Sequence, residues 1–451
     1  MDRKMVKKAY LSLLFVFGCL ILFSQEKQDW NKTAYAKEII AALTSPQMHG
    51  RGYVNGGDSL AVEYMRGAFQ QVGLKPLTPD YCQKFTFPVN TFPGKIEFLI
   101  IGKGRKTKET VLFKGRPGIN MLIGAGSKST EKSYPVIIFD STYTVSNAYF
   151  EKFKEKIESP LCLIVVDDRN VTDKKKLDYF KKVKANYFNT AGVVEYTNKL
   201  THTVSQKESA FLTIKLLTDS LHIDFKKIKN SIINVKIENM FIPAHVTKNV
   251  IGYVPGSLYP DSFIVFSAHM DHLGQLGKDV FFPGANDNAS GCAMLLNLAR
   301  YYSQPQHKPA YSIAFIAFAG EEIGLLGSEH YVKNPLFPLS NIRFLLNMDI
   351  MGTGEEGITV VNGTILKNEF DKLVKINKEN DFLKEVKIRG KAANSDHYPF
   401  SEKGVKAFFI YTMGGIKAYH DVYDRAETLP LTKFEELFKL ITHFTDYLQQ
   451  H

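Results

Sequence analysis

The chain has 451 residues, 44% of them hydrophobic and 23% charged, with a formal net charge of +11. That apolar content excludes a disordered chain and allows a large core, enough for about two domains. The positive balance raises nucleic acid as a partner, but the lysines are dispersed, many of them between Lys103 and Lys229. With no arginine-rich block, zinc-finger spacing or basic heptad, the reading is a solvated basic surface and no nucleic-acid partner.

Residues 1–8 carry Arg3, Lys4, Lys7 and Lys8, and residues 9–23 are almost wholly apolar. A basic start followed by an apolar run shorter than the ~20 residues of a spanning helix reads as a secretory signal. Small Ser24 precedes a polar stretch, which places cleavage near 24/25. Residues 1–24 are therefore expected to be a signal peptide, and the mature chain to be periplasmic or secreted with no integral membrane domain. Cys19 after Gly18 offers lipid attachment instead, against which the apolar run continues from Leu20 to Phe23. An uncleaved anchor is a further alternative. Cys82, Cys162 and Cys292 show no zinc-knuckle spacing. Cys82 and Cys162 form either a disulfide or two buried thiols.

Helical periodicity covers residues 31–43 and 58–72, separated by a glycine-rich loop with His49, Gly50, Arg51 and Gly52. Residues 81–89 and 95–101 alternate as strands do. From 106 to about 229 the texture changes to lysine-rich, with short strand-like runs at 134–139, 161–166, 191–196 and 210–216 and charged helical patches at 147–157 and 174–184. This predicts an inserted α+β module over 106–240, between catalytic segments 25–105 and 241–451. Its acidic pair Asp167–Asp168 reads as a strand-end turn. From 249 onward strands (249–254, 262–268, 310–319, 342–348, 357–362, 406–412) alternate with helices (288–302, 324–332, 368–380, 432–449). That predicts an α/β fold, a mostly parallel mixed sheet flanked by helices.

Acids and imidazoles follow successive strands of this last section. His269 and Asp271 close one, Asp287 opens the next helix, Glu321 and Glu322 follow another, Asp349 follows 342–348, and His420 and Asp421 follow the last. Strand ends converge on one edge of such a sheet. Carboxylate and imidazole without thiolate suit zinc, manganese or cobalt. Three acids and two histidines, one acid bridging, would give each of two metals three protein ligands. His269, Asp287, Glu322, Asp349 and His420 fit that count and leave Glu321 free to move protons. Taken singly, Glu321–Glu322 is an ordinary helix start and Asp349 an N-cap. Their joint placement at strand ends favours a metal hydrolase. His272 should point away from His269 and Asp271 and reads as structural. His49 has no evident partner, and His397, in Ser395–Phe400, is placed to line the site without being a ligand.

The stretches SAHMDHLG (267–274), GANDNASG (284–291), FAGEEIGLLGSEHYV (318–332), NMDIMG (347–352), SDHYPF (395–400) and YHDVYDRAETL (419–429) resemble, in order, the motifs of the co-catalytic zinc aminopeptidase family. Its members include secreted bacterial leucyl-type aminopeptidases, glutamate carboxypeptidase and the glutaminyl cyclases. The segment 50–76 is similar to the family's N-terminal part. The resemblance implies a zinc-exopeptidase fold and two Zn2+ ions, with His269 and Asp349 on one, Glu322 and His420 on the other, and Asp287 bridging. It implies Glu321 as the general base acting on a water between the two zincs, and Asp271 as the acid that orients His269. His397 and Tyr423 are candidates for the substrate pocket or for supporting the ligands. The insertion sits where many family members carry a protease-associated domain, though its sequence match to one is loose. The expected activity is that of an aminopeptidase acting on peptides with a free N-terminus. The alternatives are a glutaminyl cyclase-like aminoacyltransferase, which works with a single zinc, and an inactive receptor relative. Oligomeric state and side-chain preference are not written in the sequence.

Overall fold

A computed structural model describes residues 30–103, 109–157, 161–220, 228 and 231–450. The expected signal segment 1–24, with Cys19, lies outside them. Among the described residues no helix is long and apolar enough to cross a membrane, and Cys82, Cys162 and Cys292 are buried thiols that form no disulfide.

In chain order the N-terminal part holds helices α1 (Lys32–Leu43) and α2 (Gly57–Gln71) and strands β1 (Lys75–Pro76), β2 (Cys82–Thr91) and β3 (Ile96–Lys103). Asn31 caps α1 by accepting from the Ala34 N–H. There follow β4 (Glu109–Lys114), β5 (Met121–Ile123), β6 (Thr130–Phe139), α3 (Asn147–Lys154), β7 (Leu163–Val166), α4 (Lys174–Lys184), β8 (Gly192–Thr197), β9 (Leu212–Leu217) and β10 (Ile232–Ile237). The last part runs β11 (Met240–Val254), β12 (Tyr259–His269), β13 (Gln275–Leu276), β14 (Val280–Phe281), α5 (Ser290–Tyr302), β15 (Tyr311–Phe318), α6 (Leu326–Lys333), β16 (Ile342–Met348), β17 (Gly357–Val361), α7 (Lys367–Asn380), β18 (Val386–Ile388), α8 (His397–Glu402), β19 (Ala407–Met413) and α9 (Phe434–Gln450).

Two large sheets result. The first has the order β1-β11-β15-β12-β16-β19-β17-β18, with β2 also on β11. Its centre, β15-β12-β16-β19, is parallel; β11 and β17 join it antiparallel. Strand β12 explains the layering. All of Phe263–His269 is buried, as expected for a strand covered on both faces. Ile264, Phe266 and Ala268 join the core shared with α1, α2, α5, α7 and α9, while Phe263 and Val265 join the core shared with Tyr331 of α6 and Phe400 of α8. Helix α9 buries Phe434, Leu437, Phe438, Leu440, Ile441 and Phe444, the i, i+3, i+4 stripe of a helix lying on a sheet.

The second sheet has the order β4-β3-β10-β6-β7-β8-β9-β5, parallel from β6 to β9, with helices α3 and α4 packed on it through Phe150, Phe153, Phe180 and Val183. It contains β3, which pairs with β4 and β10. By pairing, this unit therefore begins before residue 106, since alternation identifies a strand but not its partner. Asp167 and Asp168 do lie in a turn after β7, paired with Arg169 at 2.8 Å and Lys184 at 2.8 Å.

Candidate metal centre

The parallel centre of the first sheet delivers its side chains at one edge. His269 ends β12, Glu321 and Glu322 follow β15, and Asp349 follows β16. Asp287 comes from the turn before α5, and its peptide bond to Asn288 is cis. Asp287 presents one oxygen to each of two groups. Its Oδ1 is 3.3 Å from His269 Nε2, which is 3.4 Å from Asp349 Oδ2. Its Oδ2 is 3.1 Å from His420 Nε2, which is 3.1 Å from Glu322 Oε2. His269, Asp287 and Asp349 place ligand atoms within 4.8 Å of one another, as do His272, Asp287 and Glu322. All five residues proposed as ligands from the sequence meet here.

The donors also fit a cation by what they lack. His269 Nε2 and Asp349 Oδ1 are buried with no hydrogen-bond partner, and orphaned buried polar atoms are costly unless something satisfies them. The charges lean on one another. Burial opposes ionisation of Asp287, but the adjacent His269 and His420 rings outweigh it and hold its carboxyl well below the usual range. Burial and Asp287 push Glu322 up, yet His420 and His272 bring it down to about 2. Burial would lower His420, but the Glu322 and Asp287 carboxylates raise it to about 11. Burial raises Asp349 against the opposing pull of His269. Such mutual shifts mark a set of groups that a divalent cation would bind while displacing protons.

Glu321 stands apart. Its carboxyl lines the cavity beside the cluster, and burial, aided by the Glu322, Asp396 and Asp349 charges, raises it well above the ordinary glutamate value. Its backbone is fixed from below. Asp271 accepts from the Glu321 N–H at 3.2 Å, the Glu322 N–H at 3.3 Å and the Tyr53 hydroxyl at 3.2 Å. The Asp271 carboxylate lies 3.9 Å from His269 Nδ1, beyond hydrogen-bond reach. His269 Nδ1 is instead 3.2 Å from the backbone oxygen of Asp271. This corrects the expected route: Asp271 orients His269 through its carbonyl, and its carboxylate holds the Glu321–Glu322 turn.

His272 is a second correction. It faces the centre, with Nδ1 2.6 Å from Glu322 Oε1, because the chain leaves the strand after His269 and strand alternation no longer applies. The His272 N–H instead donates to the Arg51 carbonyl. His397 is buried against Phe409, ring centroids 5.3 Å apart, and burial lowers it to about 4; it lies behind the cavity wall and does not line it. Tyr423 is 53% exposed and away from the cavity, whereas Tyr419 lines it and stacks on His420 at 4.0 Å.

Three supporting residues were not singled out from the sequence. Arg51 is fully buried and donates to the carbonyls of Met270 (2.9 Å), Leu43 (2.9 Å), Pro283 (2.6 Å) and Gly284 (2.7 Å). Asp424 accepts from the N–H groups of Asn286 (2.8 Å) and Asp287 (3.0 Å), and burial raises it to about 6. Ser395 donates to Asp349 Oδ2 at 3.3 Å and is held in turn by Asn347 at 2.8 Å. The cavity over the centre measures about 470 Å³ and is walled by Leu325, Ile350, Phe409, Tyr411 and Tyr419, a size typical of small-ligand sites.

Residues 249–445 match the model of Peptidase family M28. Over 209 residues the chain is 30% identical to Aminopeptidase YwaD of Bacillus subtilis (strain 168), covering 44% of this chain and 43% of that protein. Over 126 residues it is 35% identical to a probable zinc metalloprotease of Pyrenophora teres f. teres (strain 0-1), covering 27% and 26%. The matches thus span about a quarter to less than half the length of these curated relatives. Among solved structures, BSAP, a zinc aminopeptidase from Bacillus subtilis, superposes with a TM-score of 0.63 at 18% identity, covering 92% of this chain and 94% of that one. An aminopeptidase from Aneurinibacillus sp. strain AM-1 gives 0.60 at 18% identity, covering 91% and 92%. These two likenesses show a shared fold over nearly the whole chain.

Proposed function

We propose that this chain, which matches Peptidase family M28 over residues 249–445, is a zinc-dependent aminopeptidase that removes N-terminal residues from peptides and uses two zinc ions. The observation that carries the reading is Asp287, whose two oxygens face two separate ligand groups at 3.1–3.3 Å. A carboxylate so placed suits a bridge between two ions, and one histidine and one further acid complete each side. His269 and Asp349 would hold one ion, and His420 and Glu322 the other. When bound, the pair would polarise the scissile carbonyl and make a water acidic enough to react near neutral pH.

The remaining chemistry belongs to the protein. Glu321 lines the cavity beside Glu322 and takes no part in the ligand pairs, so its carboxylate is the group left to accept the attacking water's proton and return it to the leaving amine. Asp271 keeps that turn in register through the Glu321 and Glu322 N–H groups. His272, hydrogen-bonded to Glu322 Oε1, leaves Oε2 turned toward His420, a supporting contact of the kind that tunes a metal-bound carboxylate.

The test is hydrolysis of leucine p-nitroanilide by purified protein, with zinc content measured on the same sample. About two zincs per chain are expected, with activity lost to a chelator and restored by zinc. Glu321→Gln should keep the zinc and lose roughly 10²- to 10⁴-fold in kcat, the range of general acid–base contributions. Activity indifferent to chelation, or a Glu321→Gln variant near the wild-type rate, would refute the scheme.

A further inference from the structure

The floor of the cavity is acidic and assigned to the metal centre. The same cavity is also lined by a cation. Among the described residues that line it, Arg389 is the only lysine or arginine. Arg389 directly follows β18, and its backbone N–H donates to the Val360 carbonyl at 2.9 Å, so the side chain springs from an edge anchored to the sheet. Its Nη1 donates to the Tyr411 hydroxyl at 3.0 Å. Tyr411 lies two residues from Phe409 on β19, hence on the same face, and the two rings pack at 5.3 Å.

This arrangement is a held but unspent guanidinium. Tyr411 is a neutral partner and uses one of five N–H groups. No carboxylate of the described residues forms an ion pair with Arg389. The side chain is exposed and lines the cavity, so its remaining donors are open to a ligand there. A planar fork with free donors matches a carboxylate bidentately, and the tyrosine brace reduces the freedom lost when one binds. A peptide with its reacting carbonyl over Asp287 and Glu321 would extend its neighbouring groups along the Phe409–Tyr411 wall toward Arg389.

We propose that Arg389 is a specificity-determining residue that selects substrates bearing a carboxylate close to the scissile bond. That carboxylate is either the side chain of an N-terminal aspartate or glutamate or the free C-terminus of a dipeptide. The proposal rests on the aminopeptidase reading above and names its substrate class.

The experiment compares kcat/KM of the zinc-loaded protein for glutamyl against glutaminyl p-nitroanilide, and for Leu-Gly against Leu-Gly-amide, in wild type, Arg389→Gln and Arg389→Lys. Isothermal calorimetry of glutamate, glutamine and Leu-Gly is run on the same proteins. The acidic member of at least one pair should be preferred roughly ten- to a hundred-fold, the worth of a charge-assisted contact. Preference in the first pair identifies the side chain, and in the second the chain terminus. Arg389→Gln should abolish the preference by bringing kcat/KM of the acidic member down to that of its neutral counterpart, and Arg389→Lys should restore part of it. Turnover without preference in either pair, or a preference that survives Arg389→Gln, overturns the proposal. If nothing is cleaved, the aminopeptidase reading fails by itself. Calorimetry still decides the role of Arg389, since tighter binding of the acidic ligands that depends on Arg389 supports it and equal binding by wild type and Arg389→Gln overturns it.

Discussion

Replacing Arg51 with methionine tests whether the metal centre is held by buried backbone carbonyls. Methionine keeps much of the side chain's length and apolar stem but removes the guanidinium. The carbonyls of Met270, Leu43, Pro283 and Gly284 then lose donors now 2.6–2.9 Å away. Each buried carbonyl left unpartnered costs about 1–3 kcal/mol. The Gly284 carbonyl still accepts from the Ala289 N–H at 3.2 Å, so three would be left, summing to about 3–9 kcal/mol if independent, but they share one cavity and relax together. Removing the charge also recovers desolvation, since burial lowers the Arg51 pKa against the pull of Cys292, Asp424, Asp287 and Asp271. A net loss of about 4 kcal/mol is therefore expected. For a cooperative unit of roughly 300 residues with an unfolding entropy of ~2.1 cal/mol/K per residue, that lowers Tm by about 6 °C. Scanning calorimetry at one scan rate, with zinc content on the same sample, is the assay. Zinc retention should fall too, because Pro283 and Gly284 lead into the Asp287 turn. A Tm within about 1 °C of wild type with full zinc would show that Arg51 does not hold the site.

Two further outcomes follow from the same geometry. A Cβ on Gly291 would lie 2.2 Å from Asn288 Oδ1 and 2.6 Å from the Met348 carbonyl, so Gly291→Ala should destabilise by about 1–3 kcal/mol. It should also lower activity by displacing the Asp287–Asn288 turn; a variant with wild-type melting and rate would contradict the packing. Zinc at a hundred times its dissociation constant should stabilise the metal-free protein by about 2.7 kcal/mol, or about 4 °C in Tm on the same entropy. In Asp287→Asn that increment should shrink sharply, and an unchanged increment would show that Asp287 does not bridge.

Three of the elements that carry the proposed ligands are legible because the sequence sets acids and imidazoles directly after strands, whereas Asp287 stands in a turn and His420 in a loop. His269 closes β12, Asp349 follows β16, and Glu321–Glu322 follow β15. The failures share a cause, contacts made outside regular elements. His272 departs from the expectation because strand periodicity ends at His269 and the following loop is laid against the glycine-rich segment. The Gly274 N–H donates to the Gly50 carbonyl, and a Cβ on Gly52 would meet Gly274 Cα at 2.4 Å. The role of Arg51 is not visible in the sequence because its partners are backbone carbonyls, one nearby at Leu43 and the others far along the chain at Met270, Pro283 and Gly284, and no residue type announces a carbonyl. Tyr423 was expected near the site, but Asp421 accepts from both the Tyr419 and Tyr423 N–H groups. That turn sends Tyr419 back over His420 and Tyr423 outward. Strand β3 shows the same limit at the level of topology, since its sequence specifies extended backbone and two faces but not which sheet it joins.

The inserted unit is more than an appendage to the first sheet. The segment between β8 and β9 grips both loops that complete the centre. The His202 N–H donates to the His420 carbonyl at 2.9 Å, and His420 Nδ1 lies 3.2 Å from the His202 carbonyl. A carbonyl can only accept, so Nδ1 must carry the hydrogen, which directs Nε2 at Asp287 and Glu322. Lys199 donates to the Lys417 carbonyl, and Gln206 donates to the Ile323 carbonyl just past Glu322. His202 stacks on Phe282 at 4.7 Å, and burial lowers it to about 3, so no second positive charge arises beside His420. His420 stands in a loop after the sheet's last parallel strand, without a strand of its own to fix it. The insertion supplies that fixation, which ties the geometry of one ligand group to the folding of the second sheet.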